Sequence, residues 1–325
     1  YSATKFVNSK LATSTRPFKE VGLDAKINKK SKRRRLVILV VGETARSDHM
    51  SINGYDLKTN PYLEKEEIIS FKKMTSCGTD TALSVPCMFS LLDRSSYNHS
   101  EGKNMSNVLD IINHAGASVL WLDNNSSSKS VADRLTYKDY RSSELNSICN
   151  PECRDEGMLT NLQGFIDEQN NKDILIVLHS MGSHGPAYYK RYPKGFEVFL
   201  PACQTNQLNE CTDEEISNAY DNTILYTDYF LSKVITLLKN NSQDSDTAMF
   251  YISDHGESLG EGGLYLHGMP YFMAPEEQIK IPAFMWFDEG SKKVFDIESI
   301  KKNSELEKSH DNLFHTLLGL MDVET

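Results

Sequence analysis

Residues 36–41 read Leu-Val-Ile-Leu-Val-Val, an unbroken and mostly β-branched apolar run. It lacks the apolar/polar alternation of a half-exposed strand, so it predicts a strand buried on both faces. That one requirement constrains the rest of the chain, because helices must cover both faces of the sheet it joins. Four further runs look alike, at 117–122, 173–178, 247–252 and 280–287. Helical patterns lie between them. Residues 107–114 carry Val108, Leu109, Ile111 and Ile112, with Gly116 as a stop, and 155–169 place Met158, Leu159, Leu162, Phe165 and Ile166 at helical spacing. Thr212-Asp213-Glu214-Glu215 is a capping box opening a long periodic run through Tyr220, Ile224, Phe230, Val234 and Leu238, and 312–321 forms a last helix. The alternation predicts the α/β class, an α/β/α sandwich around a largely parallel sheet. Residues 186–211 show little periodicity and read as an insertion loop.

The chain has 325 residues, enough for a sizeable core, but its longest apolar run is far short of the roughly 18–20 residues that span a bilayer. It lacks an initiator Met and reads as a fragment of a longer protein. Residues 1–35 read as a polar linker, with the folded body at 36–325. The net charge of −10 conceals a basic run, Lys26, Lys29, Lys30, Lys32, Arg33, Arg34 and Arg35, with no acid among them. Such a run is a solvated linker or a segment near anionic lipid head groups. The acidic body argues against general nucleic-acid binding.

Six cysteines fall into three near neighbours, Cys77/Cys87, Cys149/Cys153 and Cys203/Cys211. Local pairing is the natural choice, and no C-x-x-C suggests a cysteine zinc site. Disulfides imply an oxidising compartment such as a periplasm or secretory lumen.

Ligands of such sheets sit at the carboxyl ends of the strands. Those ends deliver Glu43; Asp123-Asn124-Asn125, with Lys129 beyond; His179 and then His184-Gly185-Pro186; and Ser253-Asp254-His255-Gly256-Glu257, followed by a glycine-rich loop leading to His267. Carboxylate and imidazole groups are what Zn²⁺ accepts. Glu43, Asp254 and His255 supply three ligands, and a hydroxyl from the loop between Cys77 and Cys87 the fourth. Metal coordination would ready that hydroxyl to attack phosphorus. Thr75, Ser76, Thr79, Thr81 and Ser84 are all candidates, with Ser84 also suited to cap a helix containing Pro86 and the apolar run Met88, Phe89, Leu91, Leu92. His184 and His267 remain for acid/base work, phosphate contact or a second metal, and Asn125 and Lys129 to orient a phosphate. His179 suits a buried structural role. His49, His99, His114, His310 and His315 read as background, in segments without clustered acidic or imidazole partners.

Several motifs occur together in one order: Val41-Gly42-Glu43-Thr44-Ala45-Arg46-Ser47-Asp48-His49, the Cys77-to-Cys87 loop, Gly182-Ser183-His184-Gly185-Pro186, Tyr220-Asp221-Asn222 and Ser253-Asp254-His255-Gly256-Glu257-Ser258. Over residues 36–323 the chain closely resembles the periplasmic catalytic domain of phosphoethanolamine–lipid A transferases, the group containing the mobile colistin-resistance enzymes. The resemblance implies an alkaline phosphatase/sulfatase-like fold. It implies Thr81 as nucleophile, Glu43, Thr81, Asp254 and His255 as zinc ligands, Asn125 and Lys129 as phosphoethanolamine contacts, and His184 and His267 as substrate-binding or second-metal residues. It also implies an N-terminal transmembrane domain anchoring the protein in the Gram-negative inner membrane with this part on the periplasmic face, and a monomer. The expected reaction is transfer of phosphoethanolamine from phosphatidylethanolamine to a lipid A phosphate, which masks negative charge and confers polymyxin resistance. The alternatives are a phosphoglycerol transferase, a phosphodiesterase or sulfatase of the same fold, and a non-catalytic lipid A-binding protein. For a sulfatase, Ser84-Val85-Pro86-Cys87 lacks the arginine that should follow, because Met88 stands there.

Overall fold

The structure, a computed structural model, describes residues 17–150 and 152–325. The first apolar run becomes β1 (Arg34–Gly42), the centre of a seven-stranded sheet. The others are β2 (Ile69–Ser70), β3 (Ser118–Asp123), β4 (Thr136–Asp139), β5 (Ile174–His179), β6 (Ser245–Ser253) and β7 (Ala283–Phe287), in the order β2-β7-β6-β1-β5-β3-β4. β6, β1, β5, β3 and β4 are parallel neighbours; β7 runs antiparallel to β6 and to β2.

Period-two geometry explains why β1 is apolar throughout. Val37, Leu39 and Val41 enter the core on one face, while Leu36, Ile38 and Val40 enter the core on the other. The first face is covered by α1 (Thr81–Met88), α2 (Val108–His114) and, late in the chain, Leu313–Leu320. The second is covered by α3 (Leu162–Glu168) and the 28-residue α4 (Asp213–Asn240), which opens on the Thr212/Glu215 capping box. The architecture is the α/β/α sandwich that the alternation predicts.

Local departures have local causes. The run at 280–287 is two strands: Pro282 has no N–H to donate, so Lys280–Ile281 pairs instead with Met74–Thr75 and only Ala283–Phe287 joins the main sheet. The helix expected over 155–169 is a 3₁₀ turn, Asp155–Leu159, then α3, with Asn161 at φ +61° between them. Here the Asp155 carboxylate accepts the Met181 and Gly182 N–H groups and Asn124 Nδ2, which anchors the turn beneath the strand ends.

The basic run is not solvated throughout. Arg34 and Arg35 lie within β1; Arg35 is buried, pairing with Asp246 at 3.3 Å and Asp322 at 2.8 Å, while Lys29 reaches Asp173 at 3.0 Å. Lys26–Ile27 pairs with Val323–Glu324. Residues 1–16 of the expected linker lie outside the described residues. All three disulfides join nearest neighbours, Cys77–Cys87, Cys149–Cys153 and Cys203–Cys211.

Candidate active site

Strand register brings the chemistry to one edge. Gly42 lies opposite Ser253, Val41 opposite His179, and His179 opposite Asp123. The residues that follow, Glu43, Asp254-His255, the 180–184 loop and Asn124-Asn125, therefore leave the sheet side by side. Gly182, at φ +48°, folds back so closely that a Cβ there would stand 2.9 Å from the Glu43 carbonyl oxygen. The Ser183 N–H donates to that same oxygen at 3.0 Å.

At the centre, Glu43, Asp254 and His255 are completely buried and present ligand atoms within 4.8 Å of one another. Their other atoms are already committed. Glu43 Oε2 accepts Thr81 Oγ1 at 3.0 Å and Asn125 Nδ2 at 2.5 Å. Asp254 Oδ1 accepts the Thr44 and His255 N–H groups at 3.2 and 2.8 Å. His255 Nδ1 donates to the Gly256 carbonyl at 2.8 Å, which leaves Nε2 with its lone pair turned inward. Glu43 Oε1 and Asp254 Oδ2 have no hydrogen-bond donor and stand 3.3 and 3.4 Å from that Nε2. Inward-facing acceptors in a buried space require positive charge among them, and the donor set is one that suits a divalent metal ion. With no metal, burial and the Glu43 charge push the Asp254 carboxyl up to about 6. The imidazole of His255 is held protonated against burial by Asp254 and Glu43, up to about 10. Burial alone would raise the Glu43 carboxyl, but the hydrogen bond and charge of His255 bring it well below the usual carboxylate range.

The loop from Thr75 to Ser84 separates its hydroxyls clearly. Thr75 donates to Lys308 O, Ser76 to Gly78 O, Thr79 to Met269 O and Ser84 to Asp254 O. Among them only Thr81 points at the cluster, donating to Glu43 and lying 3.4 Å from His255 Nε2. The cap is also not the one expected. α1 begins at Thr81 with Asp80 as its N-cap, bonded to the Leu83 N–H at 3.0 Å; Ser84 and Pro86 fall inside the helix, which ends at Met88 before Leu91 and Leu92. Thr81 thus occupies the first helical position, where backbone N–H groups and the macrodipole favour negative charge.

His267, 4.4 Å from the His255 ring, is held at Nδ1 by Glu257 Oε2 at 2.6 Å; His184 lies 5.8 Å beyond, with no partner on its Nδ1. Burial would lower the His267 pKa, yet Glu257 raises it above the ordinary value, whereas burial leaves the His184 imidazole below its own. Asn125 is buried and bonds Glu43 and the Ser180 carbonyl. Lys129 is not drawn into the cluster, because its Nζ rests on the Ser126 carbonyl and hydroxyl at 2.7 Å. His179 is fully buried and bonded to Asp123 at 2.9 Å.

Three residues escaped the sequence reading. Glu257 lies within a quoted motif but had no role assigned; it also accepts Tyr188 Oη at 2.7 Å. His49 and His310 read as background and both are buried with partners. His49 bonds Asp221 at 2.6 Å, a contact the Tyr-Asp-Asn motif foreshadowed. His310 accepts the Cys77 N–H at 3.0 Å through Nδ1 and donates from Nε2 to the Ser253 carbonyl at 2.9 Å. Its only signal was position, just before a final helix packed behind the Cys77–Cys87 loop.

The fold and the cluster define a buried carboxylate–imidazole site, suited to a divalent metal ion and faced by one threonine hydroxyl, at the carboxyl edge of a mainly parallel sheet. The Sulfatase family profile matches residues 35–323. The phosphatidylethanolamine transferase Mcr-1 of Escherichia coli is 49% identical over 297 residues, covering 89% of this chain and 54% of that protein. A crystal structure of the soluble domain of lipooligosaccharide phosphoethanolamine transferase A from Neisseria meningitidis superposes with a TM-score of 0.92 at 42% identity, covering 96% of this chain and 95% of that one. The integral membrane form of the Neisseria protein gives 0.93 at 41% identity, covering 99% of this chain and 60% of that one. The chain therefore belongs to the sulfatase family and, within it, to the phosphoethanolamine transferases. It spans little more than half the length of the curated relatives it matches.

Proposed function

We propose that the chain is the catalytic domain of a zinc-dependent enzyme that moves phosphoethanolamine from phosphatidylethanolamine to a lipid A phosphate. The observation that carries this reading is the aim of Thr81, alone among the loop hydroxyls, into the Glu43–Asp254–His255 cluster. In the first step Thr81 Oγ attacks phosphorus, the bond to the diacylglycerol oxygen breaks, and phosphoethanolamine becomes esterified to Thr81. In the second a lipid A phosphate oxygen attacks the same phosphorus and Thr81 regains its hydroxyl. Zinc, held by Glu43, Asp254, His255 and the Thr81 oxygen, would supply Lewis-acid activation of the hydroxyl and neutralise charge on the transferring group.

Glu43 aligns the Thr81 hydroxyl, and Asn125 fixes Glu43 from its other side. His267, charged more readily because Glu257 holds its Nδ1, offers a proton to the departing diacylglycerol oxygen. His184, neutral by burial, offers its ring to the phosphate or to a second metal ion. The N-terminus of α1 favours the negative charge on the transferred group. A sulfatase is disfavoured because Cys87 is tied to Cys77 and lies well along α1 from Thr81.

The product would carry less negative charge on lipid A and bind polymyxins less well. The likeness to an integral membrane protein supports a position of this domain on the periplasmic face of the inner membrane. The test is transfer from vesicles of phosphatidylethanolamine or phosphatidylglycerol, labelled in the headgroup, to lipid A, with metal content measured on the same sample. Ethanolamine label on lipid A, lost on chelation and restored by zinc, is expected. Glycerol label on lipid A, or release of label without acceptor at the same rate, would overturn the reading.

A further inference from the structure

A cleft of about 500 Å³ lies between the helices Ile297–Ser304 and Leu313–Leu320, on the sheet face that also carries α1. Its floor is the buried Phe71, Met74, Phe250, Ile252 and Met285. Lining residues run from Asn312 to Leu320, so the cleft follows the second helix along its length of about 12 Å. The volume falls within the range of small-molecule sites, and an apolar lining with a few polar groups is the kind such sites use.

The helices are shaped to leave this space open. In the first only Ser304 is buried, and Phe295 and Ile300, which pack on the core and line the cleft, are half-buried. In the second, Gly319 lines the cleft, although glycine is a poor helix former. Its backbone is ordinary helix, and an added Cβ would meet no atom within 4 Å. What the missing side chain does is keep the cleft clear. The charged lining is cationic: Lys30, Lys308 and His315 stand against one acid, Asp296, whose carboxylate already accepts the Ser299 N–H and hydroxyl at 3.0 and 2.7 Å. Lys30 has Asp322 at 3.9 Å, whereas among the described residues the Lys308 ammonium has no carboxylate partner.

We propose that this cleft binds a single-chain anionic amphiphile, with the acyl chain along the apolar floor and a carboxylate or phosphate head on Lys308. Charge selects the class: a neutral head leaves the ammonium unpaired, and a cationic head is repelled by it. The site is separate from the reacting groups and does not depend on the transfer reading. Its walls nonetheless adjoin what holds Thr81 in place. Met74 leads into the Cys77–Cys87 loop, Ile252 leads to Asp254, and Leu313 follows His310, which bonds Cys77 and Ser253. A bound chain braces that loop from behind.

The full chain is titrated by calorimetry with laurate, dodecyl phosphate, dodecanol and dodecylammonium, each below its micelle concentration. Methyl NMR of Met74, Met285 and Ile300 locates the ligand. Laurate, dodecyl phosphate or both should bind, shift those methyl signals and, at a hundred times Kd, raise the melting temperature by about 5 °C. The tighter of the two tells a fatty acid from a phosphate-headed lipid, and either upholds the site. Dodecanol should bind about tenfold more weakly, and Lys308→Glu should weaken the anions by a like factor. Lys302→Glu, the same charge change at an exposed position of the first helix outside the cleft, should leave them unchanged. Gly319→Leu has room for its side chain, so it should fold with an undiminished melting temperature and lose binding. No binding of either anion overturns the proposal, as does dodecanol binding equally well. Anion binding undiminished in Lys308→Glu, or in a folded Gly319→Leu, overturns it too, because the ligand then lies elsewhere.

Discussion

His310 is the least conspicuous residue on which the site depends, and replacing it makes a quantitative test. Its partners fix its tautomer: the Cys77 N–H can only donate, so Nδ1 accepts, and the Ser253 carbonyl can only accept, so Nε2 carries the proton. Burial holds the imidazole down at about 4, so it is neutral at neutral pH. The ring joins the first residue of the disulfide loop to the strand residue before Asp254, and its Nδ1 is 3.3 Å from Ser84 Oγ on the helix that carries Thr81. His310→Phe keeps an aromatic ring, slightly larger, and strands two buried backbone groups. Each costs about 1–3 kcal/mol without a partner, so about 3 kcal/mol is a fair expectation. At about 2 °C per kcal/mol for a domain of this size, the melting temperature should fall by roughly 6 °C in calorimetry. Misplacing Thr81 by a fraction of an ångström should slow adduct formation roughly 10- to 100-fold, with metal content unchanged because Glu43, Asp254 and His255 remain. His310→Gln, which can still donate to Ser253, should recover about half of the stability. A His310→Phe protein with the original melting temperature and adduct rate would refute this reasoning.

Three further outcomes are expected. Glu257→Gln removes the charge that raises the His267 pKa, so the His267 imidazole should titrate at lower pH by NMR, and the high-pH limb of transfer activity, where the proton donor is lost, should move to lower pH with it. Asp228, buried with its carboxylate accepting the Tyr62 and Leu63 N–H groups, is pushed up to about 7, mainly by burial. Its folded pKa exceeds the unfolded value, so its contribution to stability is full below about pH 4 and is lost as pH rises through 7. Asp228→Asn should therefore gain melting temperature relative to the parent between pH 5 and pH 8. Replacing Cys77 and Cys87 together by serine opens a loop of ten-residue separation and should lower stability by about 3 kcal/mol, measured by denaturant unfolding without reductant.

The strand order could be anticipated only in outline, yet the carboxyl-end residues were legible because doubly buried strands leave so strong a pattern. Leu36 to Val41 identified a strand buried on both faces, and Glu43, Asp254 and His255 followed from where such strands stop. What the pattern could not supply was pairing between distant polar groups. Thr136–Asp139 is an exposed edge strand with no apolar face to betray it. Pro282 divides a run whose hydrophobicity looks continuous. His310 and His49 meet partners more than 170 residues away, at distances in sequence that no local signal spans. The choice of Thr81 over Ser84 was open from periodicity alone; in the fold Asp80 takes the cap, Ser84 binds the Asp254 carbonyl and Thr81 faces the cluster.

The central claim is that Thr81 carries the transferred group. Intact-mass spectrometry of the chain after incubation with zinc and phosphatidylethanolamine vesicles, followed by sequencing of the Cys77–Cys87 peptide, tests it directly. The account predicts one phosphoethanolamine group, on Thr81, discharged by lipid A and absent from Thr81→Ala. An adduct that persists in Thr81→Ala, or that maps to Ser84 or another residue, would contradict it.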